Sequence, residues 1–160
     1  MKKNAGLFGA GLIIGMIIMG LIMWNVMPNM MLNVNKSKLD FEATVSEINE
    51  SASKNGWMVP KVYDISKSLQ KAGYNDVTRI KIISLCKPKY ASTILNEDSN
   101  KKVTGIMPCR IGVYETKEGH VFMSEMNIGL MSKMFGGIIE EVMTQVAKEE
   151  TGMFQHIMQE

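Results

Sequence analysis

The chain divides sharply by where its apolar residues fall. From Ala5 to Met27 no side chain is charged, and Leu7–Trp24 is apolar or glycine throughout. At the helical rise this run spans a hydrocarbon core of about 30 Å. Lipid offers the backbone no hydrogen bonds, so the run is expected to be helical. Trp24 near its far end suits the membrane–water interface. A cleaved signal peptide would need a shorter apolar region and a small-x-small cleavage site. Trp24-Asn25-Val26-Met27-Pro28 is a poor substitute for one. The reading is an uncleaved signal-anchor over residues 5–27, behind a short n-region at 1–4. Lys2, Lys3 and the terminal amine form a tighter cluster than Lys36 and Lys38, which places the N-terminus in the cytoplasm. The rest of the chain is then periplasmic or extracellular, at the cytoplasmic membrane.

Beyond the anchor the pattern changes to short amphipathic pieces. Pro28 is expected to end or kink the helix. Residues 28–38 read as a linker or a first strand, Met30–Lys36. Asp40 or Thr44 caps a helix running to Asn55, with Val45, Ile48 and Ala52 on one side and Gly56 as its stop. Trp57–Tyr63 reads as a strand, and Pro60 restricts it to an edge or a bulge. A short helix from Asp64 or Ser66 to Lys71 closes at Gly73. Thr78–Leu85 alternates as a strand, Arg79 and Lys81 against Ile80 and Ile82. Pro88 sits at the first turn of a helix through Leu95, and Asn96–Thr104 is polar enough for a loop. Cys109–Glu115 and His120–Met126 form a hairpin turning at Lys117-Glu118-Gly119. Asn127 caps one long final helix, with Ile128, Met131, Phe135, Ile138, Val142 and Val146 along a face, and Gly136-Gly137 marks a bend or a close approach to the sheet. These elements predict an α+β domain over 39–160, a mostly antiparallel sheet with helices on one face.

Charge sharpens the division. Four of the 18 basic residues (Lys2, Lys3, Lys36, Lys38) flank the apolar run, leaving 14 against 16 acidic ones from Leu39 onward. A faintly acidic domain with no nucleic-acid motif is no nucleic-acid binder. Methionine is abundant, 16 in all, seven of them in the first 31 residues. Met16, Met19, Met23 and Met27 share a helical face and read as apolar filler. Gly11 and Gly15 make a GxxxG spacing, which lets two membrane helices approach closely. A homo-oligomer or a place in a larger membrane complex is the partner reading, alongside the bilayer itself.

The two cysteines carry the most specific chemistry. Cys86 ends one strand-like run and Cys109 begins another, so antiparallel pairing makes them neighbours at one rim. A bridge between them would close a loop of 22 residues, contributing about 3 kcal/mol. Structural readings are a disulfide or two buried thiols; the functional reading is a redox-active or ligand-binding pair. Lys87, Lys89 and Arg110 stand beside them, and positive charge lowers a thiol pKa. The spacing is not C-x-x-C, and there is no C-x-x-C-H for haem. Cys86, Cys109, His120 and His156 are soft enough for copper(I) but have no diagnostic spacing, so no metal is assigned and the cofactor is left open. Neither histidine has a catalytic partner in sequence, no glycine loop cradles phosphate, and Glu115, Glu118 and Glu125 read as solvated. An enzyme is the less favoured reading.

The order of features resembles a known family. Asn55-Gly56-Trp57 after a helix, then the run Cys86-x-Pro88-x-x-Ala91, then Pro108-Cys109-Arg110-Ile111-Gly112-Val113-Tyr114-Glu115 and a terminal helix are similar to the bacterial and archaeal domain of unknown function 302. The resemblance covers roughly Lys38 to Met158. It implies a TATA-binding-protein-like α+β fold without DNA binding, frequent homodimers, and no established activity. The expectation is therefore a membrane-anchored extracytoplasmic binding or assembly module, its ligand site where Cys86, Lys87, Pro88, Pro108, Cys109 and Arg110 converge. The alternatives are a thiol-redox or sulfur-handling protein using Cys86 and Cys109, and a structural subunit of a membrane complex.

Overall fold

The computed structural model describes residues 2–159; Met1 of the expected n-region and Glu160 at the domain's end lie outside them. The apolar run forms helix α1, Lys2–Met31. From Gly11 to Met31 it is long and apolar enough to cross a membrane, and none of that stretch is buried. Of the two outcomes expected at Pro28, an end or a kink, the end does not occur there: the proline lies inside the helix. The helix stops three residues later, where Asn127 donates to the carbonyls of Met30 and Met31 at 3.0 and 2.8 Å. Those carbonyls would otherwise be orphaned at the helix end.

Strand β1, Leu32–Lys36, follows without a linker. Helix α2, Phe41–Lys54, begins where the Asp40 carboxylate accepts from the Ala43 amide at 2.9 Å. It ends in a Schellman turn: the Trp57 amide reaches Ala52 and that of Gly56 reaches Ser53, with Gly56 at φ 73°. Only glycine holds that angle without strain. The turn drops Trp57 into the core, 4 % exposed. Strand β2, Met58–Asp64, is an edge strand whose register shifts across Pro60, as the proline requires. Helix α3, Ile65–Lys71, leads to β3, Ile80–Cys86, and α4, Pro88–Leu95. The expected polar loop is instead a run of 3-10 turns, Asp98–Gly105, anchored by buried Val103.

β4, Cys109–Glu115, and β5, Val121–Met126, complete an antiparallel sheet of order β1-β5-β4-β3-β2. Ile83, Leu85, Ile111, Val113 and Met123 point to its covered face and are sealed. α2 packs there and contacts the last helix, which in turn contacts α4. The expected single C-terminal helix is two: α5, Ile128–Ser132, and α6, Gly137–Phe154. Gly136 and Gly137 both have positive φ, 66° and 58°, so the helix cannot pass through them. The break shifts the phase of the buried stripe, which runs through Ile139, Val142, Met143, Val146 and Glu150 rather than Ile138. The tail is pinned to β1: Ser37 bridges to Met158, and the Gln159 amide donates to the Lys36 carbonyl at 2.8 Å.

Candidate functional site

The last pair of the β3–β4 ladder is Leu85 opposite Cys109, which leaves Cys86 one residue beyond. The two thiols are free and half-buried. Both line a gap of about 30 Å³ with Trp57, Lys87, Tyr90 and Pro108. Over this gap stands Glu149 of α6. Its carboxylate accepts from Lys87 Nζ at 2.6 Å, Trp57 Nε1 at 3.0 Å and the Tyr90 hydroxyl at 2.5 Å. The Lys87 ammonium also lies 5.7 and 5.4 Å from the Trp57 and Tyr90 ring centres, within cation–π range. Burial pushes the Glu149 carboxyl up, but the three donors and the lysine charge outweigh it and hold it at about 2. Lys87 is therefore engaged by a carboxylate.

Cys109 has a second neighbourhood on its other side. A cavity of about 290 Å³ opens between the ends of β4 and β5, the α5–α6 break and the face of α6. Ile82, Ile106, Met126, Ile128, Met131, Phe135 and Ile139 give it apolar walls, and Pro108, Cys109, Arg110, Glu125 and Glu150 also border it. Glu150 is 4 % exposed. Burial, the nearby Glu125 carboxyl and a thiol hydrogen bond that only partly offsets them push it up to about 8. Burial likewise raises Glu125, against a hydrogen bond from Asn33, its register partner on β1. Glu125 Oε2 is sealed from solvent and has no hydrogen-bond partner. Desolvation and the Glu150 carboxyl push the Cys109 thiol strongly upward. The expectation that basic neighbours would activate this thiol is thus reversed. Sequence proximity to Arg110 put a cation beside Cys109, whereas the fold puts the Glu150 carboxyl there, and Arg110 is exposed.

The structure gathers Cys86, Lys87, Pro108, Cys109 and Arg110 around one wall, with Cys109 and Pro108 bordering both spaces. Pro88 borders neither; it is exposed at the start of α4. Among the described residues no three of His, Cys, Asp and Glu converge as a metal-holding group. His120 is exposed beside the hairpin turn, and His156 is exposed on the ordered tail, 3.1 Å from Glu47. Gly11 and Gly15 have open space where a Cβ would stand. Glu125 is not the solvated hairpin residue the sequence implied. Glu149 and Glu150 drew no notice in the sequence. The signal for Glu150 was there: it lies four residues after Val146 and three before Met153, on the apolar stripe of α6.

A second apolar gap, about 500 Å³, lies between the end of α1 and α5. Met23, Val26, Met27 and Met30 form one side and Leu130, Met131 and Met134 the other. Met131 borders both this gap and the interior cavity.

An antiparallel five-stranded sheet with helices on one face, preceded by a long apolar helix, is the class this architecture defines. Residues 33–160 match the model of the family described as Domain of unknown function DUF302, and the chain belongs to that family. A crystal structure of an uncharacterized conserved protein DUF302 from Bacillus stearothermophilus shares the fold. It has a TM-score of 0.70 at 20 % identity, over 79 % of this chain and 98 % of that one. No curated protein matches.

Proposed function

We propose that the protein is a membrane-tethered binding module whose ligand is a small, largely apolar molecule. The observation that carries the reading is the cavity of about 290 Å³ with its apolar walls and few polar groups, the usual make-up of a small-molecule site. The Gly11–Met31 stretch of α1 supports the tether by its length and lack of charge. The site so proposed is displaced from the sequence-based one: it centres on the α6 side of Cys109, with Arg110 and Pro108 at its border.

The test is to purify the full chain from membranes in mild detergent and analyse what organic solvent extracts from it. A stoichiometric small molecule is expected from the unaltered chain and not from Ser132→Leu. Ser132 is a small, buried α5 residue that borders the cavity, so the larger side chain occupies space a ligand would use. Equal recovery from both proteins would sink the reading.

The thiol-redox alternative draws on Cys86 and Cys109 being free thiols on one gap. The raised Cys109 thiol weakens it, because exchange needs a thiolate. Assembly through α1 remains part of the proposal, supported by the open glycine face at Gly11 and Gly15. Loss of cross-linked oligomer in Gly11→Leu and Gly15→Leu is the expected result.

A further inference from the structure

We propose that the interior cavity selects an amphiphilic amine, an apolar body carrying one protonated amino group, admitted from the side where α1 meets α5. The inference deepens the binding reading and rests on it. The walls ask for hydrocarbon. The far end asks for something else: Glu150 of α6 and Glu125 of β5 border the same space, one almost wholly buried and the other with an oxygen lacking any partner. A buried carboxyl without a donor is costly, and two of them near each other repel when ionised. An ammonium group has three donors and no acceptor. It would pair with the Glu150 and Glu125 carboxyls once the Glu125 side chain turns its sealed Oε2 toward the cavity, and it would cancel their repulsion. An anion would find no cation in the interior and would keep both acids protonated, and a neutral alcohol would supply one donor for two carboxyls.

Among the residues bordering the cavity the cation is Arg110, which is exposed and leaves the interior acids without a positive partner. The groups facing Glu150 are the Cys109 thiol from β4 and Glu125 from β5. Asn33 from β1 reaches Glu125. None of these is a cation. Access follows from Met131, which borders both the cavity and the α1–α5 gap. A flexible thioether is an adaptable wall. When an ammonium group binds, a carboxylic acid releases its proton to water and the ion pair replaces it, so no oxidant or co-reactant is needed.

The experiment measures binding of hexylamine, hexanol and hexanoate to the full chain in detergent micelles, with empty micelles as blank. Hexylamine is expected to bind at least about tenfold more tightly than hexanol, and hexanoate more weakly than either. Glu150→Gln and Glu125→Gln are expected to lower hexylamine affinity about tenfold or more while leaving hexanol affinity unchanged. Hexanol binding as well as hexylamine, or glutamine variants that keep amine affinity, would overturn the selectivity while leaving an apolar site standing. No binding by any of the three would remove the binding reading as well. The ligand series uses the unaltered chain, so it decides even if a glutamine variant folds poorly.

Discussion

Two adjacent glutamates on α6 have opposite fates, and their opposition is measurable. Glu149 is held at about 2 by its donors, below the ordinary 4.5. A depressed carboxyl contributes stability above its unfolded pKa and loses it as pH falls through the folded value. Glu149 therefore supports the fold from neutral pH down to about 4.5, and that support, about 2 kcal/mol for a partly exposed group, fades below. Glu150 is pushed the other way, to about 8. Its folded form keeps a proton the unfolded chain would release above pH 4.5, so stability falls as pH rises and levels off above 8. Between pH 5 and 7 the loss is on the order of 3 kcal/mol. Chemical denaturation across pH should show Glu150→Gln flattening the alkaline side and Glu149→Gln flattening the acid side. A Glu150→Gln curve parallel to the unaltered chain from pH 5 to 8 would refute the buried-acid assignment. The same pair marks what sequence could show. Glu150 was legible as a carboxylate on an apolar stripe. Glu149 was not, because its partners Lys87, Trp57 and Tyr90 lie 62, 92 and 59 positions away and no periodicity brings them together.

At the level of elements, local chemistry wrote most of the boundaries. The Asp40 cap, the Gly56 turn, the Pro60 irregularity and the Gly119 hairpin each follow from one residue's backbone preference, and each was readable. Failures came where tertiary contacts override the local signal. Pro28 stays inside α1, and what ends that helix is Asn127, nearly a hundred residues on. The α5–α6 break shows the reverse: Gly136-Gly137 signalled a bend, but the extent of the change depends on the backbone angles. Gly136 has φ 66° and ψ −177°, a region essentially reserved for glycine. Gly136→Ala should cost about 1–3 kcal/mol, read as a lowered denaturation midpoint. Because Met131, Ser132, Phe135 and Ile139 around the break border the cavity, ligand affinity should fall as well. A variant as stable as the parent would mean the break does not need the glycine.

For the whole molecule, the question is how much the apolar helix contributes to the domain it precedes. α1 touches the rest through the Asn127 hydrogen bonds to Met30 and Met31 and through the gap against α5. None of its Gly11–Met31 stretch is buried. The sheet, the sealed core and the family match all begin at or after β1. Removing residues 1–31 therefore deletes two capping bonds, worth about 1 kcal/mol each, and the apolar partner of α5. The truncated chain should fold, with a melting temperature lower by about 5 °C, and should leave the membrane fraction. It should also self-associate more, since Leu130 and Met131 lose the facing helix and join the already exposed Met134 and Phe135 in one apolar patch. A Met134→Glu, Phe135→Ser variant of the truncated chain should suppress that association without changing the melting temperature. If the truncated chain fails to fold, α1 is part of the domain's structure. If it folds and stays monomeric without the two substitutions, the α5 surface is not an apolar face held against the anchor, and the proposed access route past Met131 loses its physical basis.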